Sequence, residues 1–163
     1  LYTALPLYTI SEELFQNILE RNHIPAEKQQ MLLQELRREK DNFLQTLRSG
    51  SVEDRIPVLS REEYAEMPLT LSLSEAFYEH EICCTYDEYL EHSHQTMAFA
   101  EHTPNYTVLS QHTRIFRNIQ IRIKHSEWVI ISKNKSPVIH FVIRHPKMRK
   151  AIEDGLWQVL NEE

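Results

Sequence analysis

Three short apolar runs near the C-terminal end, Ile119–Ile123, Trp128–Ile131 and Val138–Ile143, leave this chain little freedom in how it folds. They are rich in Ile, Val and Phe, side chains that suit a pleated, half-buried surface. Polar breaks this short can join only neighbouring antiparallel strands. The second break ends at Pro137, a residue suited to a turn or to the first position of a strand. His145-Pro146 stops the last run, and Pro146 is placed to open a helix reaching Trp157. This stretch therefore predicts a sheet meander followed by a packing helix. For the whole chain the expectation is an α+β fold: an antiparallel sheet meander covered by helices, with an N-terminal helical hairpin.

The hairpin is read from residues 10–49. Leu1–Ile10 is apolar, is interrupted by Pro6, and reads as a linker or edge segment that docks on something. Thr9 and Glu12 have capping-box spacing, and Leu14, Phe15, Ile18 and Leu19 form a stripe, predicting a helix over 10–22. Pro25 and Gly50 bracket a second, longer helix over 25–49. Heptad-like steps along it pass Gln29, Leu33, Leu36, Lys40, Phe43 and Leu47. A stripe this narrow suits either the partner helix of the hairpin or a dimer seam carried by Leu33, Leu36, Phe43 and Leu47. As a DNA-reading helix pair, 10–49 is a poor fit, because its second helix is too long and the pair is not basic.

Residues 51–59 read as a linker. Ser60 and Glu63 cap a short helix closed by Pro68, and Leu69–Leu73 alternates like a strand. Thr85 and Glu88 cap a helix to about His102, whose buried side is expected to hold Tyr86, Tyr89, Leu90, Ser93, Met97 and Ala100. Asn105–Ser110 follows as a strand.

Composition excludes several classes. Two glycines, where ordinary usage would give about 11, leave no material for a P-loop or a dinucleotide-binding glycine motif. No G-x-S-x-G, catalytic-cysteine or H-E-x-x-H signature occurs, so neither an enzyme nor a cofactor is expected. No apolar run approaches the ~20 residues that span a bilayer. The neighbouring pair Cys83–Cys84 argues for a reducing, cytoplasmic setting. Histidines and cysteines do crowd 80–102, with His80, Cys83 and Cys84 the nearest to a metal set. His92 and His94, however, point to opposite sides of a helix, and the histidines are expected on the surface.

The net charge of −6 conceals an asymmetry. Residues 51–113 carry 12 acidic and 2 basic side chains, whereas 114–150 carry 10 basic side chains and only Glu127. Either the two segments lie against each other, or the basic sheet faces an anionic ligand or acidic partner. On the second reading, with the isoleucines packed on helices, Arg122, Lys124, His140 and Arg144 share the open face and form a candidate site for a carboxylate or phosphate.

The segments M-P-L-T-L-S-L-S-E (67–75), F-R-N-I-Q-I (116–121), W-V-I-I-S-K-N-K (128–135) and P-V-I-H-F-V-I-R-H-P-K-M (137–148) together resemble the C-terminal regulatory region of certain bacterial helix-turn-helix transcriptional regulators. The resemblance covers about residues 60–155 and assigns no site residue. It implies homodimerisation and effector sensing, with 1–59 as a helical connector and 60–163 as the α+β regulatory domain. DNA would be reached only through a domain preceding Leu1. The competing expectations are an interaction or adaptor domain with no DNA partner and, more remotely, a small metal-dependent enzyme.

Overall fold

The computed structural model describes residues 5–66, 68–71, 82–112, 119–133 and 139–161. The fold is α+β, as expected, with helices α1 (Glu12–Arg21), α2 (Ala26–Ser49), α3 (Arg61–Glu66), α4 (Tyr86–His102) and α5 (Pro146–Asn161). The strands are β1 (Val52–Pro57), β2 (Thr70–Leu71), β3 (Ile82–Cys83), β4 (Tyr106–Gln111), β5 (Ile119–Lys124), β6 (Trp128–Lys133) and β7 (Ile139–Ile143). A single 3₁₀ turn, Leu7–Thr9, precedes α1.

The C-terminal runs form the expected meander, an antiparallel sheet in the order β5-β6-β7. Ser126, in the left-handed region at φ 65°, turns the β5–β6 hairpin, and Glu127 N donates to Lys124 O at 3.0 Å. Register places Ile121, Ile131 and Phe141 side by side, and Ile123, Val129 and Ile143 in the next row. Ile121, Val129, Ile131 and Ile143 of this face pack on Ile152 and Leu156 of α5, while Phe141 and Ile123 stay exposed, so a helix covers part of one face. The break around Pro137, together with Val138, lies outside the described residues.

α1 and α2 form the N-terminal hairpin. His23, at φ 57°, makes the turn between them. A forked Arg37–Glu12 pair, at 2.8 and 2.7 Å, joins the start of α1 to the middle of α2, as an antiparallel arrangement demands. Leu14, Phe15, Ile18 and Leu19 pack on Leu32 and Leu36, with Ile82 closing the end of this core. Burying side chains of this size contributes roughly 1.5–3 kcal/mol each. The inward stripe of α2 is Leu32, Leu36, Phe43 and Leu47, so it differs from the expected seam at its first position. Leu33 is half-buried against the same core. Within the chain this stripe packs as the hairpin-partner reading describes, with Leu36, Phe43 and Leu47 buried and Leu33 half-buried.

Three further corrections concern α1, β1 and α4. The cap of α1 is Ser11, whose side chain accepts from Leu14 N; Thr9 is turned inward and donates to Pro6 O at 2.7 Å. Residues 52–57 are no linker but a strand paired in parallel with β4 (Val52↔Tyr106 through Pro57↔Gln111). The crossover between them carries α3, β2, β3 and α4, the kind of connection a parallel pair needs. The same pairing crosses the expected boundary at residue 59, as does a core that joins Leu5 and Ile56 to Tyr64 and Tyr89. On α4 the buried positions are Tyr89, His92 and Thr96, while Met97 is exposed. His92 is therefore not the surface histidine expected from its sequence.

Both remaining capping boxes are present. Ser60 Oγ accepts from Glu63 N while Glu63 Oε2 accepts from Ser60 N. Thr85 and Glu88 do the same at the start of α4.

Candidate ligand-binding cleft

β1 alternates, with Asp54 and Ile56 turned inward and Glu53 and Arg55 turned outward. The pleat therefore drives a carboxylate into the protein, and Asp54 is only 2% exposed. Two phenols meet it. Tyr8 and Tyr106 both donate to its Oδ2, the latter at 2.7 Å. The rings are fixed in turn: Tyr8 stacks on Phe43 with centroids 3.8 Å apart, and Tyr106 meets Phe43 edge-on at 5.0 Å. Burial pushes the Asp54 pKa up. The hydroxyls of Tyr8 and Tyr106 and the more distant charge of Arg122 oppose that shift without cancelling it.

Asp54 lies at the wall of an open cleft of about 670 Å³. α2 contributes Glu39, Asn42 and Phe43 to it, and β1 contributes Glu53, Asp54 and Arg55. The opposite wall is built from Ile121, Arg122, His125 and Trp128 of the β5–β6 hairpin, with Glu153, Leu156 and Trp157 of α5. Both tryptophans of the chain therefore face this space. Arg55 spans it: its guanidinium lies 5.1 Å from the centroid of Trp157, and its Nε donates to Glu53 at 3.1 Å. His125 Nδ1 lies 3.4 Å from Glu153.

Of the four basic residues expected to form an anion site, only Arg122 lines this cleft. Register puts Arg122 and His140 on one sheet face but on the two outer strands, with β6 between them. Lys124 is paired with Glu127 at 2.8 Å, His140 is hydrogen-bonded to Ser132 at 2.8 Å, and Arg144 lies beyond the end of β7. The isoleucine face packs on α5, yet the four side chains do not converge. Among the described residues no ion pair joins the basic sheet to the acidic 51–113 segment.

The metal candidates are also dispersed. Cys83 is exposed and Cys84 is buried, with burial raising its thiol pKa to about 12. The backbone of Cys83 is engaged by the Asn22 amide through both N–H and C=O. His80 lies outside the described residues, and among those described no group of three or more His, Cys, Asp or Glu could hold a metal ion. His92 belongs to a buried polar knot. Its Nε2 lies 3.0 Å from Pro6 O and 3.2 Å from Thr9 Oγ1, and Thr9 is 2.7 Å from Thr96. Desolvation lowers its pKa to about 4, so the ring is neutral at pH 7.

Sequence reasoning missed Asp54 because nothing local marks an Asp within E-D-R as buried. Its partners Tyr8 and Tyr106 stand 46 and 52 residues away. The available signal was the alternation of Val52, Asp54 and Ile56. No helix among the described residues is long and apolar enough to cross a membrane. Comparison with protein-family models, curated proteins and solved structures yields no match for this chain.

Proposed function

We propose that the chain is a non-catalytic regulatory domain that binds a small molecule in the Asp54 cleft and serves a bacterial helix-turn-helix transcriptional regulator. The observation that carries the reading is the construction of the cleft, with α2 and β1 on one side and the β5–β6 hairpin and α5 on the other. Its volume is that of an ordinary small-molecule site, and its walls mix aromatic rings with a few placed polar groups. An occupant touching both walls would favour one placement of α2 against the C-terminal sheet. Differential binding of that kind is what shifts a regulatory equilibrium. The regulator acts as a cytoplasmic homodimer, because dimeric regulators read paired half-sites. The dimer contact lies outside the α2 stripe, which is filled from within the chain.

Tryptophan emission tests the sensing half directly, since both indoles line the cleft. A panel of small cations, anions and neutral metabolites should contain compounds that shift emission saturably. A broad panel that leaves it unchanged sinks the reading. Light scattering tests the second half, for which the expected result is a dimer mass.

An adaptor role is favoured by a different observation. Among the described residues β7 is the edge strand of its sheet, and Ile139, Phe141 and Val142 are exposed on it. An uncharged edge of this kind can accept a further strand from a partner. Under that reading the cleft is irrelevant, and Val142→Lys abolishes partner binding.

A further inference from the structure

We infer that the outer edge of β7 docks an extended acidic segment of a partner protein, apolar at alternate positions and carrying Asp or Glu at its ends. The inference rests on the edge-strand reading of β7, stands apart from the cleft, and names the chemistry of the partner. The first ground is the strand itself. Among the described residues β7 has one neighbour, β6, and it contains no Lys, Arg, Asp or Glu. Both of its faces are unfinished. Ile139 and Phe141 stand in the rows of Lys133 and Ile131, yet they are 40% and 59% exposed and take no part in the core against α5. On the opposite face Val142 is 54% exposed. A strand added at this edge extends each row by one side chain and covers these residues. Its main chain supplies affinity and its alternate side chains supply specificity.

The second ground is charge. From Ile139 to Lys150 the chain carries Arg144, Lys147, Arg149 and Lys150, with no Asp or Glu. Arg144, Lys147 and Lys150 are exposed. The ion pairs described beyond residue 119, Lys124–Glu127 and His125–Glu153, use none of the four. Arg149 Nε is buried and has no hydrogen-bond partner. The first turn of α5 holds no acidic residue, although it is the end of the helix where the backbone is itself positive. Positive charge therefore gathers where β7 hands over to α5. An added strand that spans Ile139–Ile143 ends beside Arg144 whichever way it runs. A carboxylate just beyond its apolar part then meets these cations in charge-assisted contacts. A second copy of this chain would instead bring two basic segments together, a juxtaposition that like charge opposes.

The test follows the amide signals of the ¹⁵N-labelled full chain during titration with a peptide of alternating Val and Thr that has two Glu at each end. Beside it run the same peptide with Lys in place of Glu and an acidic form with two central prolines. The acidic peptide should shift the signals of β7 and the start of α5 saturably, and bind about tenfold more tightly than the Lys form. The proline form should not bind, because it cannot continue a ladder. Arg144→Gln with Lys147→Gln, both at exposed positions, should weaken the acidic peptide about five- to tenfold and leave the Lys form unweakened. Salt asks the same question of the parent chain, whose affinity for the acidic peptide should fall between ~0.05 and ~0.5 M. Equal binding of the acidic and Lys forms, or an affinity indifferent to salt, overturns the acidic partner while keeping the edge reading. Silence at β7 from every peptide rejects both. Signals of β7 that move with protein concentration alone give the edge to a second copy, and a thymidine oligonucleotide that displaces the peptide makes this a general polyanion surface. Either result overturns the inference.

Discussion

Replacing Leu36 by Ala separates the two roles open to the apolar stripe of α2. Leu36 is 1% exposed and sits among Ile10, Leu14, Phe15 and Ile18. The substitution deletes three carbons from a closed core. Transfer alone costs about 2.4 kcal/mol at ~0.8 kcal/mol per buried carbon. The neighbours that would have to collapse into the space come from two helices already tied by the Arg37–Glu12 fork, so part of the cavity persists. The expected loss is about 3–4 kcal/mol, within the range for buried Leu→Ala changes. With a urea slope of ~2 kcal/mol/M, the midpoint falls by about 1.5–2 M. Urea unfolding followed by circular dichroism, run at low and high protein concentration beside light scattering, reads this out. Because the cavity lies inside each chain, the gap between parent and variant should be the same at both concentrations, and the molar mass should not change. A variant that keeps its midpoint but loses mass would show that Leu36 faces a second chain and would refute this packing. Met31→Ala is the control, since Met31 is 53% exposed on the same helix and should cost under about 0.5 kcal/mol.

His92 should make stability depend on acid. Its folded pKa is lowered to about 4 against an ordinary value of ~6.5, so the unfolded chain binds the extra proton first. Its contribution, about 3 kcal/mol, is present above pH ~6.5 and lost as pH falls to ~4. His92→Gln should flatten the difference in unfolding free energy between those two pH values, and an unchanged slope would contradict the buried placement. Thr85→Ala removes the cap of α4 and should cost about 1 kcal/mol in thermal unfolding, with no comparable effect from exposed Thr107→Ala. Tyr106→Phe deletes one donor to Asp54 and should cost ~1.5–3 kcal/mol where that carboxylate is ionised, shrinking in acid as it is protonated. A cost independent of pH would mean that the phenol does not serve the charged form. Thiol labelling of the native chain should modify exposed Cys83 and spare buried Cys84 until the protein is unfolded.

What the sequence exposes is what neighbouring residues decide. The meander follows from Ile, Val and Phe runs separated by gaps too short for any other connection, and its register follows from the hairpin turn at Ser126. The Ser60/Glu63 and Thr85/Glu88 boxes are three-residue patterns that need no distant partner. Thr9/Glu12 has the same spacing and fails because Ser11 lies closer to the helix start and the Thr9 hydroxyl is claimed by Pro6 and Thr96. β1 was unreadable for the same reason as Asp54: three charged or acidic side chains in a row resemble a solvated linker until β4 is placed beside them. His92 looks like a surface histidine because the groups that bury it, Pro6 and Thr9, come from more than eighty residues earlier.

The segment from Leu5 to Ile10 shows why these misreadings share one cause. It reads as a docking segment, and its docking partners come from most of the chain. Leu5 enters the core with Ile56, Tyr64 and Tyr89, while Ile10 enters the α1–α2 core. Pro6 and Thr9 bind the interior of α4 through His92 and Thr96. Tyr8 stacks on α2 at Phe43 and donates to Asp54 on β1. One short stretch therefore touches α2, α4 and β1 at the point where the cleft begins. On the proposed reading this gives the sensor its mechanics. An occupant of the cleft that favours the ionised form of Asp54 tightens its hold on both tyrosine hydroxyls, and Tyr8 passes that tightening to α2 through Phe43. Tyr8→Phe cuts this link while leaving Asp54 with the hydroxyl of Tyr106. The variant should still bind a compound that shifts the parent's tryptophan emission yet lose the ligand-dependent rise in amide protection along α2 that hydrogen exchange reads in the parent. If α2 is protected equally with and without the Tyr8 hydroxyl, the signal does not travel through this contact.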